Sequence, residues 1–98
     1  MSLVSFHPEA LNEFLESASH YESQQPSLGH RFVDAVQDAI HRIQARPQLY
    51  QVVEGDTRRC RVLHFPYGII FRVREDRIEI VAVMHLHRRP GYWKERAQ

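Results

Sequence analysis

The spacing of apolar positions divides the chain into a helical first half and a strand-forming second half. After a short apolar run at residues 3–6, apolar side chains recur every three or four positions from Pro8 and again over residues 27–46, which is typical of amphipathic helices. Pro8 suits the first turn of a helix, and Pro47 ends the second because proline cannot continue a helix. The pattern predicts two helices joined by a short turn.

Each predicted helix presents one apolar face and one polar face. The apolar face of the first helix consists of Leu11, Phe14, Leu15, Ala18 and Tyr21. The apolar face of the second consists of Phe32, Val36, Ala39, Ile40 and Ile43. Glu9, Glu13 and Glu16 fall on the opposite side of the first helix, so the pattern places all three in solvent.

Past residue 57 the period of the pattern changes to two, which is typical of β-strands. The predicted strands are residues 59–65, 69–74 and 77–87, with tight turns at 66–68 and 75–76. Residues 47–57 follow neither period and are predicted to form a loop with an apolar anchor. Because both faces of the last strand are largely apolar, we expect it to lie inside the sheet.

These elements predict an α+β fold in the order β-αα-βββ with a short C-terminal tail. An N-terminal αα-hairpin is expected to pack on a small, mainly antiparallel β-sheet, and 98 residues fit a single domain over residues 1–98. Residues 91–96 are too few to fold alone. In the plainest interpretation, Tyr92 and Trp93 in this tail seal the open edge of the sheet.

Composition excludes several classes of protein. Cys60 is the only cysteine, so an internal disulfide is impossible and a reducing compartment is indicated. No run approaches the roughly 18 apolar residues of a membrane span, and no secretory signal is recognisable, so we expect a cytoplasmic protein without a membrane partner. Glycine-rich phosphate loops, nucleophile elbows and zinc spacings are absent, so neither a cofactor nor a metal is expected.

Charge is distributed unevenly although the net charge is only +1. Residues 1–56 contain eight acids and three bases, and residues 57–98 contain ten bases and four acids. Twelve of the thirteen bases are arginine, whose planar fork suits phosphates and carboxylates. Either the second half presents a cationic surface to an anionic partner, or the two halves neutralise each other.

Two arginines on the first predicted strand after the loop are candidate anion-binding groups. Arg59 and Arg61 flank Cys60, so their side chains leave the same side of the strand. They can bind a phosphate or carboxylate group, or they can lie extended at a solvent-exposed end of the strand without a ligand. Cys60 has no activating neighbour in sequence reach and is interpreted as a packed thiol.

The end of the last predicted strand carries a second group of candidates. His85 and His87 share a face, and an adjacent strand can place His64 opposite them. Imidazoles in this arrangement can act as general acids or bases, or they can pack under the tail. The residues that follow include two arginines and two aromatic residues: Arg88, Arg89, Tyr92 and Trp93. These residues can bind a nucleotide by charge and stacking, or they can close the edge of the sheet.

Residues 59–73 and 78–93 together resemble the RelE/ParE toxin superfamily. The resemblance rests on the Phe65-Pro66-Tyr67 turn and on the ending His85-x-x-Arg88-x-Pro90-x-Tyr92-Trp93. The upstream residues that agree are Tyr21, residues 26–29, Phe32, Pro47 and Tyr50. The resemblance implies the toxin of a type II toxin–antitoxin pair, of the kind found in plasmid stabilisation, held inactive by a small antitoxin protein. RelE-like members cleave ribosome-bound messenger RNA, and ParE-like members poison DNA gyrase.

The RelE-like reading implies a specific set of catalytic residues. Arg59, Arg61 and Arg88 match the family's cationic positions, with His85, His87 or Tyr92 as proton carrier. However, cleaving relatives place an arginine where this chain has Gly68, and arginine is too basic to accept the proton of the ribose 2′-OH. These departures favour the ParE-like reading, a gyrase inhibitor without enzymatic activity.

Three functions therefore stay open: a gyrase-directed toxin, a ribosome-dependent ribonuclease, and an inactive interaction module. In each, the partner surface is expected to include Arg59, Arg61, Arg88, Arg89, Tyr92 and Trp93. A homodimer and a toxin–antitoxin hetero-oligomer are both compatible with the sequence.

Overall fold

A computed structural model describes residues 2–98, and it confirms the α+β fold class. Two helices, α1 (Pro8–Gln24) and α2 (Leu28–Ala45), pack on one face of a five-stranded sheet. The strands are β1 (Leu3–Phe6), β2 (Gln51–Glu54), β3 (Thr57–Arg61), β4 (Tyr67–Arg74) and β5 (Arg77–His85). The spatial order is β1-β5-β4-β3-β2, and only the β1–β5 pairing is parallel. Single-turn 3-10 helices occur at Pro47–Leu49 and Lys94–Ala97.

The prediction that residues 47–57 form a loop is wrong, because β2 lies inside that segment. β2 pairs antiparallel with β3 through a turn that contains Gly55, whose φ of 55° belongs to the left-handed region that glycine adopts freely. A strand of four residues at the sheet edge is too short to show a two-residue period. The four strands after the helices therefore replace the three that were predicted.

The bounds of the three predicted strands also move, and β3 begins at Thr57 rather than at residue 59. β3 ends at Arg61 rather than at residue 65, and the turn that follows includes His64 at a φ of 70°. Tyr67 and Gly68, predicted to be turn residues, begin β4 instead. β5 ends at His85 rather than at residue 87. As predicted, β5 lies inside the sheet, between β1 and β4.

The two helices differ in how well their apolar faces were predicted. The face of α2 is confirmed, with Phe32, Val36, Ala39 and Ile43 buried and Ile40 partly buried against the same core. The face of α1 is partly wrong, because Leu11 and Leu15 are 41% and 55% exposed. Ala10 is the residue that α1 buries completely, since its small side chain lets the helix approach the sheet closely.

The core has two parts, one on each face of the sheet. On the helix side, the Phe32 ring lies 4.9–5.2 Å from the rings of Tyr21, Phe65 and Tyr67, centroid to centroid. On the opposite side, a smaller cluster consists of Ile70, Val81, Ala82, Met84 and Trp93. The described chain contains no helix long and apolar enough to cross a membrane.

A β-bulge in β5 decides which residues face each part of the core. Ile70 on β4 pairs with Ala82 and the next residue, Phe71, pairs with Ile80, so Val81 is an extra residue in the ladder. Ile80 and Val83 consequently belong to the helix-side core, whereas Val81 and Ala82 belong to the other. The alternation predicted over residues 77–87 is therefore correct before the bulge and inverted after it.

Candidate functional site

The carboxylate of Glu13 is the centre of the most extensive polar cluster among residues 2–98. Its Oε1 atom accepts hydrogen bonds from Arg96 Nη1 at 2.9 Å and from the Val83 backbone N–H at 3.0 Å. Its Oε2 atom accepts from Tyr92 Oη at 2.6 Å, from Arg96 Nη2 at 3.1 Å and from Arg88 Nη1 at 3.2 Å. We call these five residues the Glu13 cluster.

The Glu13 cluster lies where the pairing of β1 with β5 ends. The last paired residues are Phe6 and Ile80, and just beyond them Arg96 donates to the Val81 carbonyl at 3.1 Å while Glu13 accepts from the Val83 N–H. The side chains of α1 and the tail thus take over the backbone hydrogen bonding of β5 where the neighbouring strand stops. The expectation that Glu13 lies in solvent is wrong, because its side chain is only 13% exposed.

Aromatic stacking adds to this cluster. The Arg88 guanidinium carbon lies 3.9 Å from the centroid of the Tyr92 ring, and that of Arg96 lies 5.2 Å from it. Arg96 also pairs with Glu9 at 3.3 Å. Burial, followed by the hydrogen bond to the negatively charged Glu13, raises the pKa of the Tyr92 hydroxyl. Tyr92 therefore keeps its proton at physiological pH, and its hydroxyl donates a hydrogen bond to Glu13.

A separate groove of about 280 Å³ lies on the face of the sheet opposite the helices. We call it the tail groove, and its lining includes Arg59, Ile70, Met84, Leu86, Trp93 and Lys94. Trp93 is 3% exposed and packs over this face, so the prediction that it seals the sheet edge is wrong. At the rim, Lys94 forms an ion pair with Glu54 at 3.1 Å, which joins the tail to β2.

Gly68 allows Arg59 to reach the tail groove. A Cβ atom at position 68 would lie 3.3 Å from both Cγ and Cδ of Arg59 and 3.6 Å from Leu86 Cδ2. The aliphatic stem of Arg59 therefore crosses β4 at the glycine, toward the residues that follow β5. Among residues 2–98, no carboxylate forms an ion pair with Arg59.

The fold keeps His85 and His87 together and places His64 in a separate part of the surface. His85 Nδ1 accepts a hydrogen bond from the His87 backbone N–H at 3.1 Å, and the His85 ring lies 5.1 Å from the rings of Tyr67 and His87. The expectation that a strand places His64 opposite them is wrong, because His64 lies in the β3–β4 turn. His64 lines a different groove there, together with Leu28 and Arg31 of α2.

The remaining candidates stand apart from both sites. Arg61 and Arg89 are exposed, and among residues 2–98 neither side chain forms an ion pair. Cys60 is completely buried, and burial raises the pKa of its thiol despite Arg42 Nη1 at 3.5 Å. This geometry agrees with the interpretation of Cys60 as a packed thiol.

Four of the predicted site residues thus fall into two places. Arg88 and Tyr92 belong to the Glu13 cluster, and Arg59 and Trp93 line the tail groove. Sequence reasoning missed Glu13 and Arg96, which hold the first group together. The two are 83 positions apart, so no periodicity connects them. The only available signal was indirect: the tail is rich in cations that need acidic partners.

The helical hairpin packs on one face of the sheet and the short tail packs on the other, which is the small α+β architecture expected from the resemblance to the RelE/ParE superfamily. A family model described as the ParE toxin of the type II toxin–antitoxin system parDE matches residues 4–90. The chain therefore belongs to the ParE toxin family.

The fold is also similar to that of a solved structure. That structure is the "Chromosomal ParDE TA system from P. aeruginosa", with a TM-score of 0.64 and 17% sequence identity. The match covers 89% of this chain and 98% of the other chain. No curated protein sequence matches the chain.

Proposed function

We propose that this protein is a toxin that inhibits DNA gyrase without cleaving RNA and that a cognate antitoxin neutralises it. The observation that carries the proposal is the Glu13 cluster. Arg88 and Tyr92 are the tail residues that the RelE-like mechanism requires, and both are bound to a carboxylate of the same chain. A guanidinium paired in this way is poorly placed to stabilise the charge of a reacting phosphate.

The protonation state of Tyr92 supports the same conclusion. RNA cleavage through the 2′-OH needs one group that accepts the proton of the nucleophile and another that protonates the leaving oxygen. The raised pKa of Tyr92 keeps its hydroxyl protonated, and the hydroxyl donates a hydrogen bond to Glu13. The hydroxyl is thus a poor general base, and its proton is already committed to an internal partner.

The course of Arg59 provides a third argument. Its stem fills the space above Gly68, the position at which cleaving relatives carry an additional arginine. The Arg59 side chain therefore occupies the space that the additional arginine of the cleaving relatives would need. The tail groove offers one unpaired guanidinium, whereas phosphoryl transfer requires several converging charges.

Gyrase inhibition and RNA cleavage can be compared in one preparation. We expect the purified protein to block supercoiling by DNA gyrase, or to trap cleaved DNA, while ribosome-bound message stays intact. Arg61→Ala is the informative variant, because Arg61 is exposed and its side chain forms no ion pair in the described chain. Unaffected gyrase, together with message cleavage that falls roughly 100-fold in Arg61→Ala, would overturn the proposal in favour of the ribonuclease.

The antitoxin part of the proposal has its own support and its own test. α1 exposes Leu11 and Leu15, which lie one helical turn apart and form an apolar stripe that a partner helix can cover. We expect a small antitoxin to be encoded beside this chain and its co-expression to abolish toxicity. Leu15→Glu on the toxin is expected to weaken that rescue, and rescue of the variant equal to that of the wild type would exclude this surface.

A further inference from the structure

We propose that the tail groove binds a carboxylate carried on an apolar group, with Arg59 as the anion-binding residue. The proposal concerns a ligand site and does not depend on gyrase or RNA as the target. It rests on the shape of the groove, on the balance of charge along its rim, and on Trp93 in its wall.

The lining of the groove is apolar where the sheet forms it. Ile70 and Met84 are buried side chains of β4 and β5, and Leu86 continues the same apolar surface beyond β5. A volume of about 280 Å³ is just below the usual range for small-molecule sites. The space suits a compact group with an apolar part, such as a short aliphatic chain.

The charged residues at the rim of the groove favour a ligand with a single negative charge. Lys94 and Glu54 neutralise each other across the rim, at 3.1 Å. Arg59 remains as the unpaired cation among the described lining residues, and its position over Gly68 holds the stem against the sheet. A carboxylate can accept two parallel hydrogen bonds from one guanidinium, so a single anionic group satisfies the site.

Trp93 supplies a hydrogen-bond donor that is not satisfied within the chain. Its Nε1 atom is buried and has no acceptor among residues 2–98. A buried donor without an acceptor is unfavourable, because it has lost its hydrogen bond to water. Since Nε1 is shielded from solvent, a ligand oxygen reaches it only if the tail shifts outward. Binding is therefore expected to change the surroundings of the indole.

The indole itself reports on the site, because Trp93 is the only tryptophan in the chain. We would follow its single indole N–H resonance by NMR while titrating the full-length protein with hexanoate. Hexanamide has the same shape without the charge and is the matched control ligand. For a ligand of this size we expect a dissociation constant on the order of 1 mM for hexanoate and at least roughly tenfold weaker binding of hexanamide.

Two arginine variants test the residue assignment. Arg59→Gln is expected to weaken hexanoate binding roughly tenfold, whereas Arg61→Gln, two positions along the same strand and outside the groove, is expected to leave it unchanged. Both arginines are exposed, so neither change threatens the fold. Equal weakening in both variants, or equal shifts with hexanamide and hexanoate, would overturn the proposal.

A last pair of ligands identifies the source of the carboxylate. The capped dipeptide acetyl-Leu-Glu-amide presents the same chemistry as part of a protein chain. Tighter binding of the dipeptide than of hexanoate would indicate an acidic segment of a protein, and tighter binding of hexanoate would indicate a small metabolite. Failure of both ligands to shift the indole resonance would reject the site.

Discussion

Glu13 shows how one side chain can hold distant parts of the molecule together. Its two oxygens accept five hydrogen bonds, from the tail and from the backbone of β5. Glu13 and Arg96 are 13% and 11% exposed, so both charges are largely removed from water. Such a pair adds little compared with an apolar contact of the same shape, but removing one partner strands the other.

Glu13→Gln is expected to destabilise the protein by about 3 kcal/mol, because it leaves the largely buried Arg96 guanidinium with only the exposed carboxylate of Glu9 as a counter-charge. The measurement is urea unfolding followed by circular dichroism. Glu16→Gln is the matched control, since Glu16 is an exposed acid on the same helix. We expect the control to change stability by less than about 0.5 kcal/mol. Equal effects of the two variants would contradict the role assigned to Glu13.

Individual site residues were predicted better than their partners. Arg59, Arg88, Tyr92 and Trp93 were all recognised as candidates, because paired arginines and aromatic residues in a short tail are conspicuous in a sequence. Their contacts depend on which side of the sheet the tail crosses. That is a tertiary property, so it left no trace in local spacing. The misplacement of Glu13 has the same cause.

At the scale of elements, the helical hairpin depends on a tight turn. The carboxylate of Glu22 accepts hydrogen bonds from the backbone N–H groups of Ser27 and Gly29, both at 3.0 Å. An acid at this position stabilises α2 because the first turn of a helix has unpaired N–H groups and a partial positive charge. Gly29 is buried where the two helices approach each other.

Gly29→Ala is expected to destabilise the fold by about 2 kcal/mol through overpacking. The added Cβ would lie 2.5 Å from the backbone oxygen of Ala18 and 2.8 Å from Glu22 Cβ, and the backbone oxygen cannot move without displacing α1. Thermal unfolding measures the change. Gln37→Ala, at an exposed position of α2, serves as the control and should leave the melting temperature nearly unaltered. An unchanged melting temperature for Gly29→Ala would show that the hairpin can open without cost.

The helices were located well, whereas β2 was missed and the alternation of β5 was only partly correct, for a physical reason. Periodicity needs several repeats, which α1, α2 and β4 provide. β2 has four residues, and the bulge at Val81 interrupts the repeat of β5. A bulge is selected by pairing with a neighbouring strand, so a pattern read along one strand does not contain it.

Across the whole molecule, the opposite charges of the two halves meet each other. Arg88 and Arg96 in the cationic half pair with Glu13 and Glu9 in the acidic half, and Lys94 pairs with Glu54. Much of the positive charge of the tail is thus neutralised by acidic residues of the first half of the chain, which was one of the two alternatives that the sequence left open. A broad cationic concavity does not form there, and the unpaired charge is carried by separate arginines such as Arg59 and Arg61.

Stability is expected to fall as the pH rises above about 10. Burial is the largest cause that raises the pKa values of Tyr21, Tyr50, Tyr92 and Cys60. Since their folded pKa values exceed the unfolded ones, the folded state holds more protons under alkaline conditions, and raising the pH favours unfolding. The free energy of unfolding in urea should be lower at about pH 11 than at about pH 9.

The contribution of Tyr92 to this alkaline loss can be separated from the others. Tyr92→Phe removes the group whose pKa is raised most clearly, so the difference in unfolding free energy between the two pH values should shrink. Tyr67→Phe is the comparison variant. An identical pH dependence in wild type and Tyr92→Phe would show that folding does not raise the pKa of this phenol.

The extra residue in β5 also determines where a mutation in that strand is compensated. Changes of side-chain volume at Ile80 or Val83 are absorbed by the helical hairpin, whereas changes at Ala82 or Met84 are absorbed by the tail. Adjacent positions of β5 are therefore expected to co-vary with different parts of the molecule, the helical hairpin for one and the tail for the other. Assigning the residues of β5 to the two faces by strict alternation therefore gives the wrong face after Val81. The assignment becomes correct when Val81 is counted as one extra residue.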